Sequence, residues 1–298
     1  MSSHTESEHP TAHPPAAKPL KKLQIAILGC GFMGTALLSG ILQATEKSSH
    51  DLKFSLSVRS EASLDRLQQD SRVAGRTQYV GTSNVEAARL SDVVLLGFRP
   101  HQLSEVLSEP GLAEALKDKL IISLLAGVPT RQISASLADS DRVARVIPSI
   151  GAQINESMSI IAAASLNAVD KELVIWLFQQ VGRTQIVSEE LIGSFTAVSA
   201  ACHALTVVAA DAIVDGSVAE GISRPEALEL AAQCLRSSAS MLQGHMSIEG
   251  LKESMSIANG ITINAILELD RGRVRPGISD AVRHAVRYAR GMSGGNDS

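Results

Sequence analysis

Gly29-Cys-Gly-Phe-Met-Gly34 is the stretch whose residue types and spacing most directly imply chemistry. Glycines at this spacing serve three purposes when they join a strand to a helix. Gly29 makes the tight turn, Gly31 lets the backbone approach a pyrophosphate, and Gly34 lets the helix pack closely on the strand. The first helical turn, around Phe32 and Met33, then offers unpaired N–H groups and the positive end of its dipole to the phosphates. The motif alone is a weak signal, and its context makes it a strong one. Leu23-Gln-Ile-Ala-Ile-Leu28 before it is a short apolar run of the kind that forms a buried strand. Thr35 to Thr45 after it places Ala36, Leu37, Gly40 and Ile41 on one helical face.

The next strand decides which dinucleotide fits. An NAD site places Asp or Glu at that strand's end, about 20 residues past the motif, to bind the ribose hydroxyls. Here Ser57-Val-Arg-Ser60 stands there, with no carboxylate before Glu61. A guanidinium and hydroxyls suit a 2′-phosphate, so Arg59 and Ser60 point to NADPH rather than NADH.

These residues need a scaffold, and the chain's patterning supplies one. Strands are expected at 23–28, 54–58, 93–96, 120–124 and 143–147, with helices between them. Alternating strands and helices imply right-handed crossovers and a mostly parallel sheet, a Rossmann-type α/β domain. After about Ser188 the strand-like runs stop. Helical periodicity covers 192–220, 224–243, 248–255, 262–270 and 278–292, and Arg224-Pro-Glu226 reads as a helix start. The expected organisation is a disordered tail over 1–20, a dinucleotide-binding domain over 21–187 and an all-α domain over 188–298. The tail is polar, has no apolar core segment of a signal peptide and no Arg, and its His4, His9 and His13 read as solvated.

Composition narrows the partners. The 298 residues carry a net charge of −4, which argues against nucleic acid. Aromatic residues make up only 3%, which argues against a base-stacking surface. Cys30, Cys202 and Cys234 form no CxxC pair, so neither a metal site nor a disulfide framework is expected, and a reducing, cytoplasmic setting is. Thr196 to Val214 is the most apolar helical stretch, but it carries His203 and Asp211. It reads as a helix buried in a soluble protein, not a membrane span.

With these residues in view, the chain from Leu23 to Met292 resembles the pyrroline-5-carboxylate reductase family. Gly29–Gly34 looks like that family's nucleotide loop, and Asn84-Val-Glu86 like its adenosine-side segment. Phe98-Arg-Pro-His101 resembles its strand-end Lys-Pro motif, with Arg99 for Lys before Pro100. Ser123-Leu-Leu-Ala-Gly-Val128 is similar to its turn beside the nicotinamide, through Ala126 and Gly127. Arg145-Val-Ile-Pro148 resembles its Arg-Val-Met-Pro. Asp215-Gly216, Glu226–Gln233, Gly260-Ile-Thr262 and Ala265–Asp270 match its helical part. The resemblance implies NADPH as cofactor, a cyclic imino acid as substrate and a helical domain that interlocks with a second subunit. It implies a substrate carboxylate held at Gly260, Ile261 and Thr262, with the Thr262 hydroxyl near the ring nitrogen. Thr262 is then the candidate catalytic residue, a hydrogen-bond partner before it is an acid.

Three stretches depart from the family. Its Ser-Gly-Ser-Gly-Pro-Ala-Tyr is Ser199-Ala-Ala-Cys-His-Ala-Leu205 here, its Ser-Pro-Gly-Gly is Ile257-Ala-Asn-Gly260, and its Pro-Asn-Thr-Pro is Pro148-Ser-Ile-Gly151. His203 thus becomes a candidate substrate contact, as does Asp211, which stands where the family has Glu. The altered stretches leave two other readings open. One is a non-catalytic NADPH-binding sensor or assembly protein. The other is a carbonyl reductase like the β-hydroxyacid dehydrogenases, which would need a catalytic lysine such as Lys171 or Lys252.

Overall fold

The computed structural model describes residues 22–294, apart from 71, 72, 74, 138 and 139. The tail expected at 1–20 lies outside the described residues. The chain divides into two compact units between Ile192 and Gly193.

The first unit is built on one eight-stranded sheet. Its strands are β1 (Lys22–Leu28), β2 (Asp51–Ser57), β3 (Thr77–Gly81), β4 (Val93–Leu96), β5 (Leu120–Ser123), β6 (Val143–Ile147), β7 (Ser157–Ala162) and β8 (Gly182–Ile186). Their order is β3-β2-β1-β4-β5-β6-β7-β8. Pairing is parallel from β3 to β6, antiparallel between β6 and β7, and parallel again between β7 and β8. Helices α1 (Phe32–Ala44), α2 (Glu61–Gln69), α3 (Asn84–Arg89), α4 (Leu103–Leu107), α5 (Leu112–Leu116), α6 (Thr130–Ala135) and α7 (Ala168–Gln179) join them.

Strand periodicity produces two cores. Successive side chains point to opposite faces of a sheet. Ile25 and Ile27 therefore pack with α1, α2 and α7, through Leu37, Ile41, Leu67 and Phe178. Ala26 and Leu28 pack on the other face with α3 to α6, through Ala87, Val106, Leu112 and Ile133. The result is a three-layer α/β/α sandwich. The central strands β1, β4 and β5 are apolar on both faces, as a covered parallel sheet requires.

The five expected strands are present. The structure adds β3, β7 and β8, which the sequence reading passed over. β3 and β8 are the sheet's edges, with sequences Thr-Gln-Tyr-Val-Gly and Gly-Arg-Thr-Gln-Ile that stay largely half-buried or exposed. An edge strand needs no continuous apolar run, so it leaves little trace in hydropathy.

The second unit is helical: α8 (Glu189–Ala219), α9 (Arg224–Gln243), α10 (Ile248–Met255), α11 (Ile261–Arg271) and α12 (Val274–Gly294). The first turn of α8 belongs to the sheet unit, where Ile192 packs with Ile160 and Ala162. α9 begins behind Ser223 with Pro225 in its first turn, as expected. Val214, Ala227 and Ala231 form a small buried cluster. Small side chains there let α8 and α9 approach.

The expectation of a buried α8 needs correction. The helix is long and apolar enough to cross a membrane by length and composition, with mean hydropathy 1.8 over its most apolar window, yet only 11% of that window is buried within the chain. Val207, Val208, Ile213, Leu228 and Leu230 stand exposed, and so do Met241, Met246 and Met255. The helical unit makes too little core from its own residues to bury these faces.

Candidate functional site

The turn after β1 gives a steric reason for two of the motif's three glycines. Gly29 has φ +79°, in the left-handed region, and a Cβ there would lie 2.7–2.8 Å from the N, Cα and Cβ atoms of Phe98. The turn is thus pressed against the segment that leaves β4, and only glycine fits. A Cβ on Gly34 would lie 3.0 Å from Ile27 Cγ2, so this glycine sets how closely α1 sits on β1. Gly31 differs, because a Cβ there would meet only one atom, at 4.0 Å. No protein atom excludes a larger residue at Gly31.

α1 begins at this turn without a side-chain cap, and its first turn holds no acidic residue. The first amides of a helix have no intrahelical partner, so those of Phe32 and Met33 remain available. Cys30 is not part of this surface. It is fully buried, and burial pushes its thiol up to about 12, only partly offset by Thr35 and Arg66.

β1 and β4 are neighbours at the point where the strand order reverses, and open α/β sheets bind ligands there, beyond the carboxyl ends of the strands. The other expected cofactor residues lie at those same ends. Arg59 and Ser60 follow β2, Asn84 follows β3, Phe98, Arg99 and Pro100 follow β4, and Ala126 and Gly127 follow β5. Arg59 is exposed and makes no hydrogen bond or ion pair among the described residues. Ser60 is the N-cap of α2, where its hydroxyl accepts from Ser63 N–H. Arg99 is exposed, and its N–H donates to the Gln102 side chain at 3.1 Å. Gly127 has φ +78° with nothing within 4 Å of a would-be Cβ.

Two polar connections had no signal in the local sequence. The Gly29 and Cys30 amides donate to the Ser57 carbonyl at 3.1 and 2.8 Å, and the Ser57 hydroxyl donates to Asn84 Oδ1 at 2.6 Å. Asn84 Nδ2 donates in turn to Glu109 Oε1 at 2.7 Å. Ser57 and Glu109 therefore orient Asn84 and tie it to the glycine turn. The second connection is a carboxylate, Glu189, which receives Arg145 Nη1 at 2.6 Å and the Thr130 N–H and hydroxyl at 3.0 and 2.8 Å. Burial alone would raise its pKa, but these bonds outweigh burial and hold the carboxyl below its ordinary value.

The expected substrate residues all lie in the helical unit. Gly260 is the N-cap of α11, again with no side-chain cap and no acidic residue in the first turn. A Cβ on Gly260 would lie 2.7 Å from Ile257 Cγ1 and 2.9 Å from Ile257 O, so the turn requires glycine. Asn259 before it has φ +58°, a conformation asparagine tolerates. Ile261 is exposed and Thr262 half-buried. His203 and Asp211 are both exposed on α8, and the His203 ring bonds the Ser199 carbonyl at 2.8 Å. Among the described residues neither side chain bonds Gly260, Ile261 or Thr262. Lys171 lies in the first turn of α7 and Lys252 in the last turn of α10. Among the described residues no three His, Cys, Asp or Glu side chains gather to hold a metal ion.

Comparison with known proteins agrees with both halves. Residues 189–292 match the family described as pyrroline-5-carboxylate reductase dimerisation, and residues 24–127 match one described as NADP oxidoreductase, coenzyme F420-dependent. The pyrroline-5-carboxylate reductase of Lophium arboricola is 32% identical over 301 residues, covering 92% of this chain and 94% of its own. That of Schizosaccharomyces pombe is 32% identical over 276 residues, covering 89% and 98%. Among solved structures, the pyrroline-5-carboxylate reductase of Coxiella burnetii superposes with a TM-score of 0.79 at 25% identity, covering 91% of this chain and 98% of its own. On the strength of sequence similarity that runs through both units, the chain belongs to the pyrroline-5-carboxylate reductase family.

Proposed function

We propose that this chain uses NADPH to reduce the C=N bond of a cyclic imino acid, pyrroline-5-carboxylate or a close analogue. The observation that carries this reading is the uncapped, acid-free start of α1 behind Gly29–Gly34, with the free Arg59 at the end of β2 and no carboxylate beside it. The activity named for the relatives supports it. NADPH, when bound, supplies the hydride.

The chain's own residues bind and orient. The Phe32 and Met33 amides with Gly31 hold the pyrophosphate, Arg59 and Ser60 face the 2′-phosphate, and Asn84 faces the adenosine. Phe98, Arg99, Pro100, Ala126 and Gly127 border the nicotinamide half. The amides of Ile261 and Thr262, behind Gly260, hold the substrate carboxylate by the logic that serves a phosphate. The Thr262 hydroxyl hydrogen-bonds the ring nitrogen. A cyclic imine takes up its proton in water, so the protonated carbon–nitrogen bond accepts hydride at carbon and no strong acid is required of the protein. Positioning and exclusion of water then carry most of the catalysis. His203 and Asp211 shape the altered side of the substrate pocket.

A second copy of the chain completes the assembly as an intertwined dimer. The uncovered apolar faces of α8 and α9 and the match of 189–292 to a dimerisation family support this. The three cysteines are free thiols, in keeping with a reducing, cytoplasmic setting.

Loss of NADPH absorbance with pyrroline-5-carboxylate, and with six-membered and alkylated cyclic imino acids, tests the reading. Turnover of at least one is expected. Tight NADPH binding with no turnover on any of them would instead favour a non-catalytic NADPH-binding protein. Arg59→Ala is expected to raise the KM for NADPH roughly ten- to a hundredfold, the scale of a lost charge-assisted bond. NADH should be hardly affected. Equal losses for both cofactors would remove Arg59 from the 2′-phosphate.

A further inference from the structure

The Glu189 carboxylate joins three segments that are far apart in sequence. It lies in the first turn of α8. Thr130, which it holds by N–H and hydroxyl, is 59 residues away and opens α6. Arg145, which it holds at 2.6 Å, is 44 residues away in β6. Only the short stretch from Leu124 to Pro129 separates β5 from Thr130, and it contains Ala126 and Gly127. Leu125 and Val128 anchor that stretch in the core, while Ala126 is exposed. The near end of the turn is held by Ser123, whose hydroxyl accepts from Leu125 N–H at 3.2 Å. The far end is held by Glu189.

Arg145 makes the carboxylate hard to replace. The arginine is 6% exposed, and its side-chain hydrogen bond among the described residues runs to Glu189. Its Nε is buried with no partner. A buried guanidinium without its counter-charge must move or draw in water. Either response displaces Thr130 and the turn before it.

We propose that Glu189 is a positioning residue of the reductase, clamping Thr130 and Arg145 so that the Ala126–Gly127 turn stays fixed beside the nicotinamide. This rests on the reading of that turn as the nicotinamide border. Glu189 touches neither the cofactor nor the substrate. It acts through the turn, and it does so from the helix that continues into the dimerisation unit.

The test compares Glu189→Ala, Glu189→Gln and Gly127→Ala in the full-length enzyme. Glu189→Ala is expected to lower kcat roughly ten- to a hundredfold, the effect of about an ångström of misplacement at the reacting atoms. The KM for NADPH should stay within about threefold of wild type, because the pyrophosphate and ribose contacts are intact. The deuterium isotope effect with NADPH labelled at the transferred position should rise. Glu189→Gln keeps an oxygen that accepts from Arg145 and the Thr130 N–H but loses the counter-charge, so it should recover part of the kcat lost in Glu189→Ala. Gly127→Ala strains the turn directly, at φ +78° with open space around the new methyl, and should reproduce the kcat and isotope changes.

If Gly127→Ala moves kcat and the isotope effect while Glu189→Ala lowers only the melting temperature, the clamp is structural and the proposal is overturned, with the turn's role standing. The proposal is also overturned if Glu189→Ala acts and Gly127→Ala does not. If neither variant acts, or the wild type turns over no cyclic imine, the proposal and the reading beneath it both fall.

Discussion

Gly29→Ala is expected to weaken NADPH binding by roughly 30- to 1,000-fold. A methyl at position 29 would sit 2.7 Å from Phe98 N and 2.8 Å from Phe98 Cα, and backbone atoms cannot swing aside as the end of a side chain can. The φ of +79° adds the penalty of a left-handed conformation, about 1–2 kcal/mol for a residue with a Cβ. Overpacking adds about 1–3 kcal/mol more. The turn can relax only by lifting from Phe98, which also breaks the Gly29 and Cys30 amide bonds to Ser57. About 2–4 kcal/mol of lost binding corresponds to the stated range.

Gly31→Ala is the informative companion. Its methyl meets no close protein atom, so the melting temperature should not change. It should still cost NADPH affinity under the proposed reading, in which the pyrophosphate lies against Gly31. Fluorescence titration with NADPH, alongside thermal melts, checks both. A Gly29→Ala protein that binds NADPH as well as wild type would show that the turn is not the phosphate cradle.

Replacing Val207 and Val208 together by Glu is expected to abolish both the dimer and the activity. Both residues are about two-thirds exposed in the single chain, on a helix whose apolar window is almost wholly uncovered. If a second copy covers this surface, the variant places two carboxylates in a desolvated interface, at a cost of several kcal/mol for each unpaired charge. The helical unit contributes few buried side chains of its own, so it should lose structure along with its partner. The wild type should melt at a temperature that rises with protein concentration, as a dimer without a stable folded monomer must. Sedimentation and melting curves at several concentrations check this. A variant that remains dimeric and active would place the interface on another face.

Legibility in the sequence followed local physics. The glycine turn, the central strands and all five late helices could be read because each announces itself within a few residues, by a special backbone requirement or by a repeating apolar face. β6 and the helices α9 and α10 occupy the spans their periodicity indicates. The edge strands β3 and β8 could not be read this way, since one side of each has no neighbour to demand apolar residues. Nor could α8 be read correctly from hydropathy. Apolar composition shows that a surface must be covered, but not whether the cover comes from the same chain.

The sequence by itself determined that a glycine-rich turn opens an α/β unit, that β2 ends without a carboxylate before Glu61, and that a helical unit follows. Only the tertiary structure decided why Gly29 cannot be another residue, because Phe98 is 69 positions away and reaches it through the pairing of β1 with β4. Only the fold, likewise, gathers Thr130 and Arg145 around the Glu189 carboxylate. Turns and helices are short-range consequences of residue type, whereas contacts across a sheet depend on which strands become neighbours, and that choice belongs to the whole chain.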